Sequence, residues 1–143
     1  MIKYPLTFTT QINSPAGIET AWNSKTPTHS FDCNIPPEFE GPGGGVSPED
    51  FFALALSNCI IATFKVYAQY SKISFEKIEV NSELVVDLNE NKKPVMKTCL
   101  LKATLFKPSN VDMAKRLLQR AFESGFILNS VKTELKLEIE VLE

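Results

Sequence analysis

Three cysteines (Cys33, Cys59 and Cys99), one histidine (His29) and the adjacent carboxylates Glu49 and Asp50 are the side chains of this sequence whose types suit chemistry. A cysteine becomes a useful nucleophile when its pKa is lowered from ~8.5 by a cation, a metal or directed hydrogen-bond donors. Cys59 lies in Leu56-Ser57-Asn58-Cys59-Ile60, a run that reads as mid-helix. There it gains little from a helix terminus, so it is either a small packed hydrophobe or a thiol activated by groups from elsewhere. Cys99 shares the apolar alternation of Val95, Leu101, Ala103 and Leu105 and reads as core. Cys33 falls at a strand end beside a proline-rich loop. No Ser or Cys is placed by sequence to pair with His29, which reads as a strand or surface residue.

Other chemistries are excluded on spacing. No His/Cys/Asp/Glu cluster has metal-ligand spacing, so no metal is expected. Gly41 to Gly45 has the composition of a phosphate loop but lacks GxGxxG and GKS, so no nucleotide cofactor is expected. The 15 basic and 17 acidic residues give a net charge of −2, with no basic stripe for a nucleic acid. An odd number of widely spaced cysteines without CxxC is unlike a secreted disulfide framework. The first residues contain no signal-peptide apolar run. The most apolar stretch, Phe51 to Tyr70, is interrupted by Ser57, Asn58, Thr63, Lys65 and Gln69. A cytoplasmic protein with reduced thiols and no membrane partner is expected.

The elements that must position these groups follow from pattern. The 143 residues suit one domain, 1–143, with an ordinary hydrophobic core. Ser47-Pro48-Glu49-Asp50 is a helix start. Ser47 is the N-cap, Pro48 takes the first helical position, and Asp50 stands in the capping-box place. The helix should run to about Ser71. Its apolar residues, among them Phe51, Phe52, Leu54, Leu56, Ile60, Ile61, Phe64, Val66 and Tyr67, surround most of its circumference. A helix apolar nearly all round is buried nearly all round, which in so short a chain calls for a second subunit. Glu49 and Cys59 are ten residues apart on it, ~15 Å along the axis, so they cannot meet within one helix.

Around this helix, Lys3 to Ile12 alternates Tyr4, Leu6, Phe8 and Thr10 as a strand would, and Ile18 to Trp22 and Thr28 to Cys33 read as two more short strands. Lys77 to Leu88 and Val95 to Phe106 form a hairpin around Asn89-Glu90-Asn91. Ser109 is the expected cap of an amphipathic helix carrying Val111, Ala114, Leu117, Leu118, Ala121 and Phe122, with Gly125 as its C′ stop. Val131 to Val141 alternates as a final strand. The order implies an α+β fold, predominantly antiparallel sheet with a long central helix and a second amphipathic helix.

The run Ser47-Pro48-Glu49-Asp50-Phe51-Phe52-Ala53-Leu54-Ala55-Leu56-Ser57-Asn58-Cys59 after a glycine-containing loop, with the elements that follow, resembles the OsmC/Ohr family of osmotically inducible and organic hydroperoxide resistance proteins. The resemblance covers most of the chain. It implies an intertwined homodimer with the long helices at its centre. It also implies a thiol peroxidase in which Cys59 attacks a small-molecule hydroperoxide, Glu49 is the carboxylate of the site, and an external dithiol restores the enzyme. Two positions depart from the family pattern. Gly125 stands where the family places its second cysteine, and no arginine lies in the N-terminal strands. Arg116 and Arg120 are both on the second helix, which leaves Lys25, His29 or Lys65 as substitutes and Cys33 or Cys99 as the other possible resolvers. The alternative reading is a non-catalytic module of the same fold holding a small hydrophobic ligand or lipid in an apolar interface pocket lined by residues such as Phe51, Phe52 and Phe64.

Overall fold

Ser47 and Asp50 start the long helix as their types dictate. In the computed structural model, which describes residues 1–143, the Ser47 N–H donates to Asp50 Oδ2 and the Asp50 N–H to Ser47 Oγ, both at 3.0 Å. This reciprocal capping box satisfies two amides that an uncapped helix leaves open. Helix α1 then runs Pro48–Tyr70.

Two compact units divide the chain, Met1–Phe51 and Phe52–Glu143. In the first, β1 (Gln11–Asn13), β2 (Trp22–Lys25) and β3 (Ser30–Cys33) form an antiparallel sheet in that order. The strand expected over Lys3 to Ile12 is confined to its end. Gln11 pairs with Lys25, the last residue of β2, and the chain turns directly after it, with the Thr26 N–H donating to the His29 carbonyl. Tyr4, Leu6 and Phe8 therefore have no ladder to join and stay exposed. After a short 3-10 turn at Pro37–Phe39, Gly41 passes so close to Ile35 that any side chain would overlap its carbonyl. The loop is then tied back to β3 through a parallel bridge between Cys33 and Val46.

The second unit holds the core. β4 (Lys77–Leu88) and β5 (Pro94–Phe106) are antiparallel, with a bulge at Val85/Val86. Their turn is built by Asn89, whose Oδ1 accepts from the Asn91 and Lys93 amides. Helix α2 (Val111–Ser124) then carries the chain across so that β6 (Glu134–Leu142) lies parallel to β5. A parallel neighbour needs such a crossover, so one parallel pair completes an otherwise antiparallel arrangement. Leu56, Ile60, Phe64 and Ala68 recur every four residues on α1. They pack with Leu101, Ala103 and Leu105 of β5 and with Ala114, Leu118 and Ala121 of α2.

One local expectation is corrected. The α2 cap is Asn110, whose side chain accepts from the Met113 N–H at 3.0 Å. Ser109 is occupied elsewhere, its hydroxyl accepting from the Ser74 N–H. Within one chain α1 is not covered all round, as its length and apolar circumference lead one to expect: Leu54 and Val66 are 52% and 51% exposed. By length and composition α1 also matches a bilayer-crossing helix, but its Leu56–Ala68 side is packed against sheet and helix.

Candidate active site

Cys59 sits midway along α1, half-buried, against the end of α2. A Cβ added at Gly125 would lie 2.8 Å from Cys59 Sγ and 2.9 Å from Leu128 Cδ1. Gly125 has φ −60° and ψ 135°, an extended conformation open to any residue. Its role is thus not the left-handed helix stop expected from its position. The missing side chain leaves room for the thiol. The turn that holds this approach is pinned: the Gly125 N–H donates to Ala121 O at 2.9 Å, and Asn129 Nδ2 donates to the carbonyls of Glu123 and Gly125, each at 2.8 Å.

One residue away, Ser124 Oγ donates to the Arg120 carbonyl at 2.8 Å, so its contact of 2.6 Å with Tyr67 is donated by the Tyr67 hydroxyl. The Arg120 guanidinium stacks over the same Tyr67 ring, 5.0 Å from its centroid. This Arg120–Tyr67–Ser124 chain beside the Gly125 turn was not anticipated from sequence. Its signal was available in the helical phase of Tyr67, two turns beyond Cys59.

Glu49 is not brought to Cys59 within the chain, because both stand on α1 and ten residues of helix span about 15 Å. Its Oε2 is buried and has no hydrogen-bond partner. His29 is exposed, its Nδ1 2.9 Å from Thr28 Oγ1. Lys25 and Lys65 are also exposed. No group of three or more His, Cys, Asp or Glu side chains is arranged to hold a metal. Phe64 is wholly buried in the core beside Phe75, while Phe51 packs edge-on to Phe31 in the first unit.

Cys33 and Cys99 are both buried. The Cys33 thiol donates weakly to Ser24 Oγ at 3.4 Å. Burial pushes the Cys99 thiol up from its ordinary value. In an unfolded chain that thiol ionises near ~8.5. Cys99 therefore contributes stability that is complete below that pH and is lost as pH rises through it toward the higher folded value. Native protein treated with an aromatic disulfide reagent should react at Cys59 alone, with Cys33 and Cys99 following only in denaturant. Equal labelling of all three in the native state would contradict the burial pattern.

A family profile described as OsmC-like protein matches residues 41–140. The uncharacterized protein YmaD of Bacillus subtilis is 24% identical over 111 residues, covering 75% of this chain and 74% of that one. Among solved structures, an OsmC-like protein of unknown function from Vibrio cholerae superposes with a TM-score of 0.84 at 19% identity, over 94% of this chain and 99% of that one. An organic hydroperoxide resistance protein from Elizabethkingia anophelis gives 0.76 at 17% identity, over 98% and 99%. OhrB of Bacillus subtilis, also an organic hydroperoxide resistance protein, gives 0.67 at 18%, over 94% and 98%. At these identities the likenesses to solved structures establish the fold.

Proposed function

Because the chain belongs to the OsmC-like protein family, we propose that it is a one-cysteine thiol peroxidase in which Cys59 reduces organic hydroperoxides and an external thiol completes the cycle. The observation that carries this reading is that Cys59, alone of the three cysteines, is not buried. The hydroperoxide resistance names borne by two structural relatives agree with it.

The Cys59 thiolate attacks one peroxide oxygen, the O–O bond breaks, and the departing alkoxide takes a proton to leave as an alcohol. The sulfur is then a sulfenic acid. Gly125 offers no second sulfur, so a small thiol condenses with the sulfenic acid and releases water. A second thiol equivalent, or the other arm of a dithiol, then frees Cys59 and leaves as a disulfide. The reduced thiol pool of a cytoplasm would supply both.

The site is completed in a homodimer, where Glu49 of the partner subunit stands beside Cys59. The unpartnered Oε2 of Glu49 and the exposed Leu54 and Val66 on α1 support this arrangement. A carboxylate near a thiol disfavours its ionised form, so a cation must balance it. Lys25, His29 and Lys65 are free to do so.

Cumene hydroperoxide consumption with dithiothreitol is the test. The wild-type protein should turn over and yield a trappable sulfenic acid on Cys59. Cys59→Ser should lose at least about a hundredfold in kcat/KM, as removal of a nucleophile does. Full turnover by Cys59→Ser, or a Cys59 no faster than free cysteine, would reject the proposal.

A further inference from the structure

Away from the thiol, the second unit carries an open groove of about 680 Å³ whose floor is Phe52, Val95, Met96 and Val131. Cys59 is not among its lining residues. The floor is predominantly apolar, and the polar groups at its edge are mostly donors; Ser130 is the exception, its hydroxyl proton already given to the Phe126 carbonyl at 2.7 Å. Asn89 already accepts two backbone amides through Oδ1, which turns its NH2 group outward as a donor. Thr133 is only 9% exposed, lines the groove, and has a hydroxyl left unused by the sheet.

The two lysines at the edge differ. Lys97 donates to the Leu88 carbonyl at 3.2 Å and lies 3.7 Å from Asp87, so its charge is already answered. Lys132 makes no ion pair, since the ion pairs of the chain engage Lys77, Lys97, Lys102 and Lys107. The groove thus combines an apolar floor with an unpaired ammonium and neutral donors, and no carboxylate lines it. A neutral lipid could meet the neutral donors but would leave the ammonium charge unanswered, and a cationic amphiphile would be repelled. Apolar burial sets affinity in such a site, while a few placed polar groups set orientation.

We propose that this groove binds an amphipathic monocarboxylate, with its alkyl chain on Phe52, Val95, Met96 and Val131 and its carboxylate on Lys132 and Thr133. Binding does not depend on Cys59 or on peroxide turnover. The site is distinct from the aromatic pocket expected from the sequence, of which only Phe52 contributes.

Decanoate and decanol are the probes, titrated into full-length protein labelled with carbon-13 at its methionine methyls. Decanoate should shift the Met96 resonance and leave that of Met113 unmoved. Decanol should bind about tenfold more weakly, the loss expected for a charge-assisted hydrogen bond. Lys132→Gln should remove that preference while keeping the fold, and Cys59→Ser should bind decanoate as the wild type does. The proposal is overturned if Met96 does not respond, as when a second copy of the chain covers the groove. It is equally overturned if decanol binds as well as decanoate, or if Lys132→Gln leaves the preference intact.

Discussion

Gly125→Cys should, in the proposed cycle, convert Cys59 from a thiol that waits for an external partner into one that resolves itself. The Cβ position at Gly125 is 2.8 Å from Cys59 Sγ. Across a relaxed disulfide with an S–S bond of ~2.04 Å, each Cβ stands about 3 Å from the far sulfur. The backbone at φ −60° and ψ 135° is open to any residue, and the one backbone atom near the added Cβ, Ala121 O at 3.1 Å, has to give by a few tenths of an ångström. Leu128 Cδ1, 2.9 Å away, is the far end of a flexible side chain and can yield. On treatment with one equivalent of hydroperoxide, the variant should lose two hydrogens in intact mass and no longer add a small thiol. The bridge closes a loop of about 66 residues, for which chain-entropy arguments give roughly 4 kcal/mol of added stability in the oxidised form. Gly125→Ser is the control, because it carries the same Cβ without the sulfur and reports the packing cost alone. Two free thiols persisting in peroxide-treated Gly125→Cys would show that the two positions are not in bridging geometry.

That expectation joins a site residue legible in the sequence to a contact that was not. The capping box, the limits of α1, the hairpin turn at Asn89 and the amphipathic face of α2 could be read because local rules set them. A cap needs two residues three apart, and a buried face needs a fixed period. Cys59 and Glu49 stand out through the family resemblance of the run from Ser47 to Cys59, because local rules alone read them as a packed thiol and a helix-start charge. The approach of Gly125 to Cys59 is a tertiary fact, fixed by how α2 docks on α1 and by the Asn129 bonds that hold the turn. From pattern alone Gly125 reads as a helix stop, and α2 does end there, but with extended rather than left-handed dihedrals, so the glycine is not needed for the stop itself. The Lys3–Thr10 strand fails for a related reason. Alternation makes a segment suitable for a ladder, but the β2–β3 turn leaves it no partner in the chain. The Ser109 cap fails because a hydroxyl that holds the Ser74 amide is not free for its own helix.

The placement of Cys59 depends on how firmly α1 is seated, and Phe64 does most to seat it. Its side chain is fully buried, and its ring lies 5.2 Å from that of Phe75. Phe64→Ala removes the transfer energy of a large side chain and leaves a cavity lined by residues of α1 and β5. The expected cost is 3–5 kcal/mol, measured by chemical denaturation. A helix free to rock would also loosen the contact between Cys59 and Gly125, so peroxide reactivity should fall together with stability. Leu54 supplies the opposite case on the same helix, since it is half-exposed and a lone chain should tolerate Leu54→Asp within about 0.5 kcal/mol. In the proposed homodimer that position faces the second copy. The wild-type melting temperature should then rise with protein concentration, as binding linkage requires, and Leu54→Asp should abolish that rise and lower peroxide turnover. A melting temperature independent of concentration in both proteins would leave Glu49 too far from Cys59 to serve it, and the two-subunit site would have to be given up.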